Sequence, residues 1–174
     1  MARKVAFGGI FTALTVVILY FAAFVPTGRL AAYALCSVPI AFSIVELGVG
    51  AGALVYVSTS ILSVLLIGSI NDIVPFILFF GHYGICKFYI EKQRRAALEI
   101  ILKLLVFNGS IALAYFVFTR LFLSAAAGIL TNSGLLIAGF VLLAQVVFFI
   151  YDYAYSRIIF YYQDRRHILW NKGR

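Results

Sequence analysis

The chain has 174 residues, of which 64% are hydrophobic and only 11% charged, with a mean hydropathy of +1.08. That composition excludes a water-soluble globular domain. At roughly 20 apolar residues per membrane crossing, the length holds five or six spans and leaves nothing for a separate soluble domain. Fourteen lysines and arginines against six acids give a net charge of +8, so the placement of the cations is the second constraint.

Spans are read from the charges and turn residues that interrupt the apolar runs. Arg3 and Lys4 precede the first run, Val5 to Val25, which closes at Pro26-Thr27-Gly28-Arg29. That run is too long for a typical signal-peptide core, and Phe24-Val25-Pro26 is a poor cleavage site, so it reads as a retained helix. From Leu30 to Ile67 the sole charge is Glu46. The stretch is about twice what one helix needs and predicts two helices, 30–45 and 47–67, joined by a tight turn at Glu46-Leu47-Gly48. After the break from Gly68 to Asp72, a fourth helix is predicted over 73–90, ending in Glu91-Lys92-Gln93-Arg94-Arg95. A fifth covers 100–123. Past the small-residue loop Ser124 to Ser133, a sixth runs over 134–160, its membrane part closing near Tyr155. The expectation is an all-α polytopic integral membrane protein: a compact bundle of six transmembrane helices forming one domain, 1–174.

Twelve of the fourteen cations fall at the amino terminus, between helices four and five, and in the carboxyl tail; Arg29 and Arg120 alone fall on the other side. The positive-inside rule then puts both termini in the cytoplasm, as expected for a multi-pass protein of a cell membrane, in particular a bacterial cytoplasmic membrane. Tyr151, Tyr153, Tyr155, Tyr161, Tyr162 and Trp170 read as an aromatic belt at the inner interface. Charge divided among three segments fits topology and attraction to anionic membrane lipid and argues against a nucleic-acid partner.

Catalytic signatures are missing. No glycine-rich loop leads into a lysine, and there is no His-Glu-x-x-His and no Gly-x-Ser-x-Gly. The carboxylates read as scattered over both sides, with no cluster of ionisable groups at one interface, so no enzyme is expected. Cys36 and Cys86 lie at different depths, without a metal-ligating neighbour, and read as apolar filler. Neither a metal nor a cofactor is expected.

What remains are polar positions inside apolar runs, which turn toward neighbouring helices or a cavity. The third helix carries Tyr56, Ser60 and Ser63 on one face. The fourth carries Asn71, Pro75, Leu78 and His82, and the fifth Asn108, Ala112, Tyr115 and Thr119. The sixth offers Asn132 and Gln145. These stripes suggest a pocket among the later helices, open to the outside, with His82 its sharpest candidate. Arg29, Asp72 and Arg120 sit at the outer rim, where they could meet a charged ligand. Close packing and interhelical hydrogen bonds are the competing explanation for the small polar residues, including a direct Asn108–Gln145 bond. On the first helix Gly8, Gly9, Thr12 and Ala13 form a small-residue strip that lets another helix approach closely. Gly48, Gly50 and Gly52 repeat the theme, and Gly50 is the expected point of close packing or unusual backbone.

Three segments together resemble the substrate-binding subunits (S components) of energy-coupling factor transporters: Ala6-Phe7-Gly8-Gly9-Ile10-Phe11-Thr12-Ala13-Leu14, Glu46-Leu47-Gly48-Val49-Gly50-Ala51-Gly52, and Phe79-Phe80-Gly81-His82-Tyr83-Gly84 before a basic loop. Size, six spans and inward termini agree with that family. The resemblance implies capture of a vitamin-like or other small nutrient near the outer face, with Pro26 to Arg29 as lid. Arg29, Asn71, Asp72, His82, Tyr115, Asn132 and Gln145 are the implied substrate-binding residues. It further implies docking through Gly8, Gly9, Thr12 and Ala13 onto a transmembrane coupling protein with two ATPase subunits. A membrane scaffold in cell-envelope assembly or cell-shape control is the alternative, in which the loop Lys87 to Lys103 and the tail Asp164 to Arg174 bind partner proteins.

Overall fold

The computed structural model describes residues 2–25, 27–93, 95–121 and 134–172; the side chains of 118–121, 134–138, 140 and 166–172 lie outside the description. The chain is all-α: α1 (Ala2–Phe24), α2 (Arg29–Leu47), α3 (Val49–Ile67), α4 (Ile70–Pro75), α5 (Gly81–Glu91), α6 (Ala96–Leu121) and α7 (Gly134–Lys172). A π-helical stretch, Phe76–Phe80, fuses α4 and α5 into a single span. Counted that way, six helices among the described residues are long and apolar enough to cross a membrane, and this is a multi-pass membrane protein.

The long apolar run divides at Gly48, where the sequence suggests. Gly48 has φ 94° and ψ 167°, a backbone region open essentially to glycine alone, so one residue suffices to reverse the chain. Close packing at this turn belongs to Gly52, whose missing Cβ leaves room for the Ile44 side chain. Gly50, the expected special position, lies in regular helix with nothing near a Cβ built on it. The turn itself, not the helix after it, carries the strain.

The fourth span departs from the uninterrupted helix expected over 73–90. Pro75 has no N–H, so the Asn71 carbonyl loses its helical donor. The next turn widens, and the Gly81 N–H bonds back to the Phe76 carbonyl, five residues earlier. The widened turn exposes the Ile77 carbonyl to side chains: Tyr56 Oη donates to it at 2.9 Å and His82 Nδ1 lies 3.2 Å away. Gly81 makes this possible, since a Cβ there would stand 2.5 Å from the Tyr56 ring.

Central to the bundle is α2, which packs against α1, α3, α5 and α7. One buried cluster joins Leu19, Tyr33, Cys36, Ile40, Val55, Phe76 and Phe80. A second joins Ala41, Tyr83, Phe148 and Tyr155. Partners reveal helix direction: Asn108–Gln145 and Lys103–Asp152 run α6 and α7 antiparallel, whereas Tyr151–Ser37 and Tyr162–Glu46 run α2 and α7 parallel. Apolar side chains also cover the perimeter, with Val5 and Leu65 about three-quarters exposed at 74% and 75%. In water such a perimeter would aggregate; in hydrocarbon it is the solvent-matched surface.

Candidate functional site

The bundle does not close where α7 meets α5 and α6. Near α2 it is seated by hydrogen bonds, Tyr151 Oη to Ser37 Oγ at 2.9 Å and Tyr155 Oη to the Ser37 carbonyl at 3.3 Å. Toward the other two helices it reaches through large side chains. Phe148 stacks on Phe107 with ring centroids 4.4 Å apart, and Phe79 touches both rings as well as Tyr151. These four rings form a floor.

Above the floor, toward the Arg29–Asp72 end, lies a cleft of about 460 Å³. Val74, Pro75 and Leu78 form one wall, Ser110, Ile111 and Ala114 of α6 the second, and Leu143, Ala144 and Val147 of α7 the third, with Leu30 at the lip. Both hydroxyls of its lining are engaged: Ser110 donates to the Val106 carbonyl at 2.8 Å, and Tyr151 Oη to Ser37 Oγ. The lining is therefore apolar, and its affinity for a guest would come from burial and ring contacts rather than charge.

The residues expected to bind substrate distribute unevenly around this cleft. Arg29 and Asp72 pair at 2.8 Å, joining the start of α2 to α4, and the neighbouring Leu30 and Val74 reach the cleft itself. Tyr33 Oη donates to the Asp72 backbone carbonyl at 2.9 Å. Asn71 is exposed beside this pair. His82 is half-buried on the opposite side, edge-on to Tyr56 of α3 at 6.3 Å between centroids. Pro75 and Leu78 do face the cleft, so the face drawn through Asn71, Pro75, Leu78 and His82 breaks inside the π turn. Its physical reason is phase: an added residue per turn rotates everything after it by about 100°. On α6 the expected stripe of Asn108, Ala112 and Tyr115 is exposed, and Phe107, Ser110, Ile111 and Ala114 meet the cleft instead. Gln145 Nε2 donates to Asn108 Oδ1 at 2.8 Å beside the cleft, leaving Gln145 Oε1 buried without a partner. Pro26 and Asn132, and the side chains of Thr119 and Arg120, lie outside the described residues.

Below the floor the chemistry reverses. Lys87 of α5 and Lys103 of α6, with side chains 3% and 8% exposed, both bind Asp152 of α7. Lys87 contacts Asp152 Oδ1, and Lys103 contacts Oδ2 at 2.8 Å. Tyr83 Oη donates to Oδ1 at 2.6 Å. Glu91 and Glu99 complete the network, 2.8 Å from Lys87 and 2.7 Å from Lys103. The expectation that carboxylates scatter, with no ionic cluster at one interface, is thus overturned: half of the six acids converge here. Spacing hid it. Lys87–Glu91 and Glu99–Lys103 are i,i+4 pairs, which read as ordinary solvated helix faces, and Asp152 joins them across three helices. A lone aspartate at the end of the apolar run of α7, Asp152, was the available signal.

On α1, Thr12 is buried, Gly8 half-buried, and Gly9 and Ala13 exposed; a Cβ on Gly8 or Gly9 would meet nothing within 4 Å. The strip is therefore partly an outward face. Among the described residues no group of three or more His, Cys, Asp or Glu side chains could hold a metal. No family model, curated protein or solved structure matches the chain.

Proposed function

We propose that this protein captures a small nutrient from within the membrane and depends on a separate ATPase-driven coupling module to deliver it. The observation that carries the reading is the cleft of about 460 Å³ between the π turn, α6 and α7. Its size falls among small-molecule sites, roughly 300–1,000 Å³, and it sits beside the Arg29–Asp72 pair at the end of the bundle we read as extracellular. Its lining narrows the cargo to a molecule whose buried part is apolar or aromatic. The outward Gly9–Ala13 face of α1 is free for a transmembrane coupling subunit, in keeping with the resemblance to energy-coupling factor S components. We read both termini as cytoplasmic, in a bacterial cytoplasmic membrane.

The test is native mass spectrometry of protein gently extracted from its own membranes, beside an Ala114→Phe variant that fills the cleft from α6. A bound small molecule retained by the wild type and lost at least tenfold in the variant supports capture. No bound molecule, or one held equally by Ala114→Phe, sinks it. Recovery of cell-envelope proteins in place of cargo and coupling subunits would turn the reading to a scaffold.

A further inference from the structure

The tyrosines of α7 divide into two sets. Tyr151, Tyr155 and Tyr162 turn inward onto Ser37 and Glu46, whereas Tyr153 and Tyr161 are 62% and 63% exposed. Each exposed ring carries an arginine one turn later. Arg157 Cζ stands 5.2 Å from the Tyr153 centroid, with Nε and Nη2 donating to Tyr153 Oη at 3.0 and 2.8 Å. Arg165 repeats the pattern on Tyr161, at 5.4 Å and 3.1 Å. The spacing of four puts each arginine within about 40° of its own tyrosine around the helix, and all four side chains are exposed.

The acids around Arg157 are held elsewhere: Asp152, Glu91 and Glu99 by the two buried lysines, and Glu46 by Tyr162. Asp164, the other acid of α7, stands about 10 Å farther along the helix, next to Arg165. Among the described residues no ion pair reaches either arginine. Depth singles out the first. Counted from Gly134, where α7 begins, roughly 20 residues, the length of one crossing, reach Tyr153. Glu91 closes α5 and Glu99 opens α6 at that same level. Arg157 therefore stands at the headgroup layer, and Arg165 about 12 Å farther along the helix axis.

We propose that Tyr153 and Arg157 form a binding site for the phosphate of an acidic phospholipid. Charge complementarity argues for an anion: Arg157 is exposed, its Nη1 makes no hydrogen bond among the described residues, and a guanidinium matches a phosphodiester fork to fork. The flanks argue for a lipid. Phe149, Ile150 and Phe160 are exposed on the same half of α7, 42%, 63% and 67%, and give acyl chains a surface directly beside the charge. Stacking on Tyr153 fixes the guanidinium before the lipid arrives, which lowers the ordering cost of binding.

The full chain in micelles doped equally with phosphatidylglycerol and phosphatidylcholine, read by native mass spectrometry, tests this. Wild type should retain phosphatidylglycerol preferentially. Arg157→Gln should lower that retention about fivefold, the effect of one cation near an anionic surface. Arg157→Lys should lower it less, Arg165→Gln less than Arg157→Gln, and Lys92→Gln, an exposed cation without a stacked ring, should leave it unchanged. Unchanged circular dichroism and melting of Arg157→Gln would tie the loss to the site. Equal retention by wild type and Arg157→Gln overturns the proposal, as does an equal loss in Lys92→Gln, which would mean diffuse charge only. A protein that leaves native membranes with the wild type but not with Arg157→Gln also overturns it, and gives the face to a protein partner.

Discussion

The same three elements, the fourth span, α6 and α7, enclose opposite chemistry at their two ends. Above the floor of Phe79, Phe107, Phe148 and Tyr151 they are apolar and stand apart, leaving a cleft of about 460 Å³. Below it they are drawn together by two lysines, three carboxylates and a tyrosine hydroxyl. Apolar walls gain little from touching one another where lipid tails are as apolar as leucine, so a gap there costs little and a guest can fill it. Charges in the same surroundings must be matched completely or not buried at all. The ionic end fixes the spacing of these helices, and the apolar end is thereby free to stay open.

The comparison breaks most readily at Asp152. Asp152→Asn leaves Lys87 and Lys103 buried without their shared acid and should cost about 3–5 kcal/mol, the usual penalty for removing one partner of a buried pair; thermal unfolding in detergent reads it. Replacing the set together, Lys87→Met, Lys103→Met and Asp152→Leu, should recover most of that loss. If the single change is mild, the network does not set the helix spacing. Next in size, Gly84→Leu should cost about 1–3 kcal/mol through overpacking, because the Tyr155 hydroxyl occupies the space a Cβ would take. A shifted tyrosine would also release the 3.3 Å bond to the Ser37 carbonyl, visible as a change in near-ultraviolet circular dichroism. Closer to the cleft, Gln145→Leu removes one interhelical hydrogen bond and should cost about 0.6 kcal/mol. A loss several times larger would mean that the Asn108–Gln145 pair, and not the aromatic floor, holds α6 to α7. Smallest of all is Gly9→Leu, expected within about 0.5 kcal/mol of wild type, since nothing lies near that position. The same substitution should abolish copurification of a coupling subunit if α1 is the docking face, and leave it intact if it is not.

Much of the frame was legible in the residues. Hydrocarbon thickness converts directly into span length, and backbone hydrogen bonding inside a membrane admits little besides helix; six apolar runs therefore meant six helices. The Gly48 turn was legible because a run of twice one span must reverse somewhere, and the glycine beside its sole charge is the residue that can. Which face of each helix looks inward was less accessible. Constant 3.6-residue periodicity put His82 in line with Pro75 and Leu78, and Pro75 itself upset that phase by opening the π turn. On α6, the polar stripe of Asn108 and Tyr115 is as regular as the cleft-lining one of Phe107, Ser110, Ile111 and Ala114, and in lipid polarity does not say which face is buried.

Class, span number and the concentration of positive charge toward one side follow from the residues alone, because they depend only on local hydrophobicity and the charges between runs. Tertiary structure alone decided what the charged and aromatic residues do. Lys87, Lys103 and Asp152 become one site only when three helices converge, and Tyr151 and Tyr153 take opposite roles only because α7 turns one of them onto Ser37. These contacts act over a few ångströms between residues that lie 49 to 114 positions apart. Linear spacing carries no information about such pairs until the helices are packed.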